Sequence, residues 1–238
     1  MATTQVKDLR DVLQIIEQYQ RYYTWWRGQP ESQPLVPGAF RDRTKGRDWE
    51  QNLALQFMSR APVRHPHCPA HGDRPAWLFF MQHYRLQTRL LDWTESVLFA
   101  AYFAVEKEPE KPGELWMLQP NSLNQLQLGT DFLSVPEDPR VTPLFNAAFT
   151  REPYGGKIVA VGVREVDIRM MVQQSAFTLH DTPTPLEQMP NHEKFLVRFE
   201  IPAAAKGQIR RQLDHLGVSQ RNLFPDLETL SKWLQGEL

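Results

Sequence analysis

The chain has 238 residues, long enough to bury a sizeable core without disulfides or metals, and one domain is the expected organisation. Its 27 basic and 28 acidic side chains nearly cancel, which excludes wholesale attraction to nucleic acid or an anionic membrane and leaves only a local basic groove for such partners. Cys68 is the sole cysteine, so an intrachain disulfide is excluded. With no basic-then-apolar start and no apolar run of membrane-span length, a cytoplasmic, membrane-free protein is expected.

From Val6 to Gln20 the apolar positions Leu9, Val12, Leu13, Ile16 and Tyr19 recur at helical spacing, predicting an amphipathic helix packed on the rest of the domain. The aromatic run after Tyr22 predicts a short buried strand ended by Gly28 and Pro30, with Arg27 near its end. Residues 34–46 read as loop, and Arg47 to Arg60 as a helix stopped by Ala61-Pro62. The segment containing His65, His67, Cys68 and His71 holds metal-ligand residue types. It lacks paired zinc spacings, so a Pro-rich loop is the plainer expectation and no metal is assigned. Asp73 and Pro75 predict an N-cap and first turn for a helix carrying Trp77, Phe80, Met81 and Tyr84 inward. That helix ends near His83. Asp92 with Glu95 three residues on resembles a capping pair, predicting a second helix through Val97, Leu98, Ala101, Tyr102 and Val105, with 88–94 as a junction between the two.

The second half changes character. Strands are predicted at Gly113–Leu118, Lys157–Val163 and Lys194–Ile201, the last with Phe195, Val197, Phe199 and Ile201 on one face. Between the first two, residues 123–153 suit short helices and loop. A helix is predicted from Ile201-Pro202 to His215, ending at Gly217, and a final one near Asp226 with Leu227, Leu230, Trp233 and Leu234 apolar. Helices early and strands late imply an α+β domain with a mixed or antiparallel sheet flanked by helices.

These landmarks resemble the FRG domain family, named for an aromatic-Arg-Gly motif, which appears here as Trp26-Arg27-Gly28. Its central signature resembles Gln82-His83-Tyr84 with Thr88-Arg89-Leu90-Leu91-Asp92-Trp93-Thr94 and the apolar helix through Ala104. Further blocks resemble Gln173 to Thr178 and Gly217 to Leu227. Arg85, Leu86 and Gln87 stand where such domains often carry Gly or Pro, and Ser175-Ala176 replaces a glycine-containing turn. The resemblance implies one FRG-like domain over 1–238, with 1–24 as an added helix, and a place among bacterial and phage conflict systems such as phage defence or toxins.

Arg27 is a planar, permanently charged fork suited to phosphate or carboxylate, and a neighbouring Gly28 allows close backbone approach by a ligand. The pairing looks like the nucleotide-contacting Arg-Gly of ADP-ribosyltransferases, which implies NAD as the nucleotide and an ADP-ribosyltransferase-like fold. Under this reading Arg27, Gly28, Gln29, Tyr84, Thr88, Arg89 and Gln174 bind the nucleotide, and His83, Asp92 and Glu95 supply the acid and base. Glu187 is a further carboxylate candidate; Trp93 and Phe177, like Tyr84, are candidate walls. Structural duties stand beside each role. Arg27 can lock to Asp92, His83 can cap carbonyls, Asp92 can be an N-cap, and Gln174 can satisfy buried backbone. Two other functions remain open: a nucleic-acid-directed toxin or nuclease gripping phosphates with Arg27, Arg41, Arg43 and Arg89, and a non-catalytic sensor or interaction module presenting Trp25 and Trp233 to a protein partner.

Overall fold

A computed structural model describes residues 4–42, 44–151, 155–162 and 168–237, apart from the side chain of Arg47. Its elements in chain order are β1 (Thr4–Gln5), α1 (Leu9–Tyr19), β2 (Trp25–Gln29), α2 (Gly38–Arg41), α3 (Arg47–Arg60), α4 (Arg74–His83), β3 (Leu90–Thr94), α5 (Val97–Val105) and β4 (Gly113–Leu118). There follow α6 (Pro120–Leu128), α7 (Thr142–Asn146), β5 (Ile158–Val161), α8 (Ile168–Val172), β6 (Ser175–His180), β7 (Leu196–Ile201), α9 (Ala203–His215), α10 (Gln220–Leu223) and α11 (Leu227–Leu234). The strands form one mixed sheet in the order β1-β7-β4-β2-β3-β6-β5, in which only the short β1 pairs parallel to its neighbour. The expected α+β class is therefore observed.

The alternation of side chains along each strand divides the core. One face carries Trp25, Leu91, Trp93, Trp116, Leu118, Ile158, Ala160 and Ala176 in a single layer across the sheet. The other face is split. Trp26, Leu115, Met117, Phe199 and Ile201 pack under α1, α5 and α9, whereas Leu90, Val159, Val161, Phe177 and Leu179 pack under α3, α4 and α7. The backbone divides at the same place. Strands β2 and β4 share five registered pairs and β3 and β6 another five, but β2 and β3 share only Trp26 with Thr94. From that pair the two central strands diverge, and a cavity opens between the two helix layers.

Local chemistry explains most elements. Asp8 caps α1 and Asp11 reciprocates, closing a capping box, while Leu9, Val12 and Ile15 bury the inner stripe. Asp73 accepts from the Ala76 amide and Pro75 occupies the first turn of α4, as expected. Asp226 likewise caps α11, and Gly217 takes a φ of 78° after α9, a left-handed stop that glycine adopts without strain. The apolar Leu227 and Leu234 of α11 are exposed.

Three expectations are corrected. Asp92 does not open a helix: it lies in the middle of β3, and Ser96 caps α5 by accepting from the Phe99 amide. The predicted helix junction is thus a central strand. Strand β6 had not been anticipated at all. Phe195 does not share a face with Val197, Phe199 and Ile201, because it precedes the extended part of β7 and packs in the opposite layer. The predicted 34–46 loop contains α2, and the predicted end of the fifth strand, Val163, lies outside the described residues, as does Arg43.

Candidate functional site

Strand β3 is buried at Leu90, Leu91, Trp93 and Thr94 and exposed only at Asp92. An exposed carboxylate in a central strand requires an opening in the molecule, and the opening is the cavity at the β2–β3 divergence. It has a volume of about 390 Å³ and is walled by β2, β3, the α4–β3 connection and the C-terminal end of α5. This is within the size range of small-molecule sites. Four arginines line it, Arg27, Arg41, Arg85 and Arg169, against the carboxylates of Asp92 and Glu106. The lining carries an excess of positive charge although the whole chain is almost neutral.

Arg27 alternates with Trp26 and Gly28 on β2, so it leaves the strand on the other face. Its Nη1 donates to the backbone carbonyl of Asp92 at 2.7 Å, reaching across the gap where the ladder is missing. That bond satisfies a carbonyl orphaned by the divergence of the strands. The Nε of Arg27 is buried without a partner. Burial lowers the pKa of the guanidinium to about 10; Asp92 opposes this and nearby Arg41 adds to it. The group remains charged at neutral pH, enclosed and not paired through its own side chain with a carboxylate, which is the condition of a cation that gains from an anionic ligand.

Asp92 is held from beneath. Gln82 Nε2, at the end of α4, donates at 2.9 Å to both carboxylate oxygens. Gln82 Oε1 accepts from Thr88 Oγ1, and Thr88 Oγ1 accepts from the Leu90 amide at 3.1 Å. The chain Leu90–Thr88–Gln82–Asp92 fixes the amide orientation of Gln82, since Thr88 has one proton to give, and thereby presents Nε2 to the carboxylate. Thr88 thus belongs to the site as a support.

The residues anticipated from sequence fall into three groups. Arg27, Gly28, Thr88 and Asp92 line the cavity together, while His83 joins Asp92, Gln82 and Arg169 in a small adjoining recess of about 40 Å³. His83 and Tyr84 also line a groove with Arg85, Glu106 and Arg169. The glycine has a different reason from the one anticipated: a Cβ on Gly28 would lie 1.8 Å from the Ala100 carbonyl oxygen, so it lets α5 pack on β2.

Glu95 and Gln174 are elsewhere. They line a separate pocket with Tyr23 and Trp25, where the Tyr23 hydroxyl donates to Glu95 Oε1 and the Glu95 amide donates to Gln174 O at 3.0 Å. Burial, reinforced by Glu95, holds the Tyr23 phenol up to about 12. Gln29 is 4% exposed, and its amide is satisfied by Gln33 O and Glu114 Oε2. Arg89 is fully buried and grips Glu50 through two bonds of 2.8 and 2.7 Å and Asp181 at 2.9 Å, tying α3, β3 and the segment after β6 together. It does not project beside Arg27. A buried ionic triad of this kind is a structural tie. Glu187 accepts from the Leu35 amide, and Trp93 and Phe177 are core residues, although Trp93 borders the cavity and Phe177 the recess. His65 stacks edge-on with Phe80 at 5.2 Å, and among the described residues no three His, Cys, Asp or Glu side chains are grouped to hold a metal ion.

Gln82, Arg85, Glu106 and Arg169 were not singled out as site residues in the sequence. Gln82 stood beside His83 in the signature, and a polar residue directly before His83 at a helix end was the available signal. Nothing local in the sequence marks Arg169, since only the fold brings α8 to β3.

The FRG domain model matches residues 22–112, a stretch of this chain that is therefore similar to that family. The matched stretch spans β2 through α5, which includes Arg27, Gln82, His83, Thr88 and Asp92; the blocks at 173–178 and 217–227 lie beyond it. No curated protein and no solved structure matches the chain.

Proposed function

We propose that the chain is a nucleotide-processing enzyme acting on NAD, by ADP-ribosyl transfer or hydrolysis, at the cavity between β2 and β3. One observation carries this reading: Asp92 is the only exposed residue of β3, is oriented by Gln82, and faces the same cavity as the enclosed guanidinium of Arg27. Phosphate oxygens would meet Arg27 and Arg41. A carboxylate beside the ribose would stabilise the positive charge that grows at C1′ as the glycosidic bond to nicotinamide breaks and its electron pair leaves with the base. Water or an acceptor hydroxyl then bonds to C1′, and its proton passes to the Asp92 carboxylate or, in the recess behind it, to His83. In this scheme Glu95, in a separate pocket, takes no part. The resemblance to the FRG family, with its link to bacterial and phage genomes, supports a role for such an activity in a conflict system. A nucleic-acid-directed toxin has less support, because Arg89 is consumed in the buried triad.

The test is release of nicotinamide from NAD by purified protein. Arg27→Ala should lose binding and turnover while keeping a cooperative melting transition, and Asp92→Asn should lose turnover while still binding. Absence of both NAD consumption and any NAD-dependent thermal shift would reject the reading.

A further inference from the structure

The cavity is not closed at its outer end. Arg85, Glu106 and Arg169 form part of its wall and also part of the wall of a wider groove of about 890 Å³ running toward α10 and α11. The two compartments differ in chemistry. The inner one holds Asp92, and the groove, itself lined by charged residues such as Lys107, Asp226 and Lys232, adds aromatic surface from Tyr84, 47% exposed, and Phe224. The guanidinium of Arg169 lies 4.9 Å from the centre of the Phe224 ring. A cation stacked over an aromatic ring covers that face with its own flat surface and leaves the in-plane N–H groups to meet anions.

We infer that the groove walled by Tyr84 and Phe224 is a second subsite for the nucleobase half of a pyrophosphate-bridged dinucleotide whose other half occupies the cavity. The inference rests on the NAD reading above and deepens it. The bridging phosphates fall between Arg27 and Arg41 in the cavity and Arg85 and Arg169, the positive residues common to both compartments. Glu106 faces the same junction. Burial raises its pKa from the ordinary carboxylate value, against the opposing pull of Lys107 and Arg210. A mononucleotide fills one compartment only, so a dinucleotide gains the second set of contacts without a second loss of overall translational freedom.

The experiment is calorimetric titration of NAD, ADP-ribose, nicotinamide mononucleotide and AMP into the wild-type chain and into Phe224→Leu and Arg27→Ala. Leucine keeps apolar volume against Phe103, which the Phe224 ring contacts edge-on, but removes the flat face, and melting curves check that each variant is folded. NAD should bind the wild type more tightly than either mononucleotide. Phe224→Leu should weaken NAD, ADP-ribose and AMP by roughly 5- to 100-fold, the loss of one base stack, and leave nicotinamide mononucleotide unchanged. If NAD binds no more tightly than nicotinamide mononucleotide and Phe224→Leu changes neither, the subsite is overturned while the NAD reading stands. If no nucleotide binds, or Arg27→Ala binds them all as the wild type does, the NAD reading fails and the subsite fails with it.

Discussion

His180 closes β6 under full burial, and its Nε2 lies 2.9 Å from Thr178 Oγ1, which also accepts from Trp93 Nε1 at 3.0 Å. With the hydroxyl proton of Thr178 directed to the imidazole, the ring is an acceptor at Nε2 and neutral. Burial lowers its pKa to about 3, and the charges of Arg27 and Arg89 push it the same way. In the unfolded chain the group titrates at its ordinary value of 6.5. Between those two values the unfolded state binds one more proton than the folded state, so stability rises with pH across the window. The contribution is whole above pH 6.5 and is lost as pH falls toward 3, at up to about 1.4 kcal/mol per pH unit. Urea unfolding of the wild type and of His180→Gln, measured from pH 7 to pH 4, should show a steeper loss in the wild type. Parallel pH profiles would mean that this histidine is not the buried neutral group described. Arg89 belongs to the same scale: a charged residue beside Leu90-Leu91 reads equally as ligand grip or internal tie, and only the positions of Glu50 and Asp181, both distant in sequence, decide for the tie.

Gly28 sets how closely α5 approaches β2. An added Cβ would meet the Ala100 carbonyl oxygen at 1.8 Å and the Ala104 amide nitrogen at 2.6 Å, both backbone atoms of the helix that cannot turn aside. Gly28→Ala should therefore displace α5 and destabilise the fold by about 1–3 kcal/mol, the usual cost of overpacking. A urea midpoint within error of the wild type would show that the helix has room to spare. Several helices of this protein were legible because they carry their own signals. Asp73-x-Pro75 starts α4, Gly217 ends α9 and Asp226 starts α11, all within a turn of the element concerned. The central strands were not legible, for a physical reason. Leu90-Leu91-Asp92-Trp93-Thr94 is buried on both faces except at Asp92 and so shows no alternation, and Asp92 with Glu95 reproduces the spacing of a capping box. The true cap, Ser96, stood directly before the apolar run at Val97. Half of the site was nonetheless visible: Arg27, His83, Thr88 and Asp92 were all named and do converge on the cavity and its recess, whereas Glu95 was placed with them only through the helix that Asp92 does not start.

At the scale of the molecule the sheet is two halves, β1-β7-β4-β2 and β3-β6-β5, antiparallel except for the β1–β7 pair and joined by a single registered pair. Each half has its own helix layer on one face, and only the layer containing Trp25, Trp93 and Trp116 runs continuously beneath both. The seam is the least reinforced part of the central sheet, and the cavity sits on it. Alternate amides of residues 27–29 and the amide of Asp92 face the gap and not a partner strand, so their exchange depends on local access, whereas the Leu90 amide donates to Thr88 Oγ1. Hydrogen exchange followed residue by residue should find these gap-facing amides fast, while those in the six-pair ladder between β4 and β7 exchange slowly. A ligand held by Arg27 on β2 and Asp92 on β3 bridges the halves and should slow the gap-facing amides selectively, leaving β4 and β7 as they were. Uniformly slow exchange across β2 and β3 without ligand would mean that the ladder is closed in solution. Slowing spread evenly over the whole sheet would place the ligand away from the seam. The position of the site then follows from the architecture: charge can be exposed in the middle of a seven-stranded sheet only where the sheet itself comes apart.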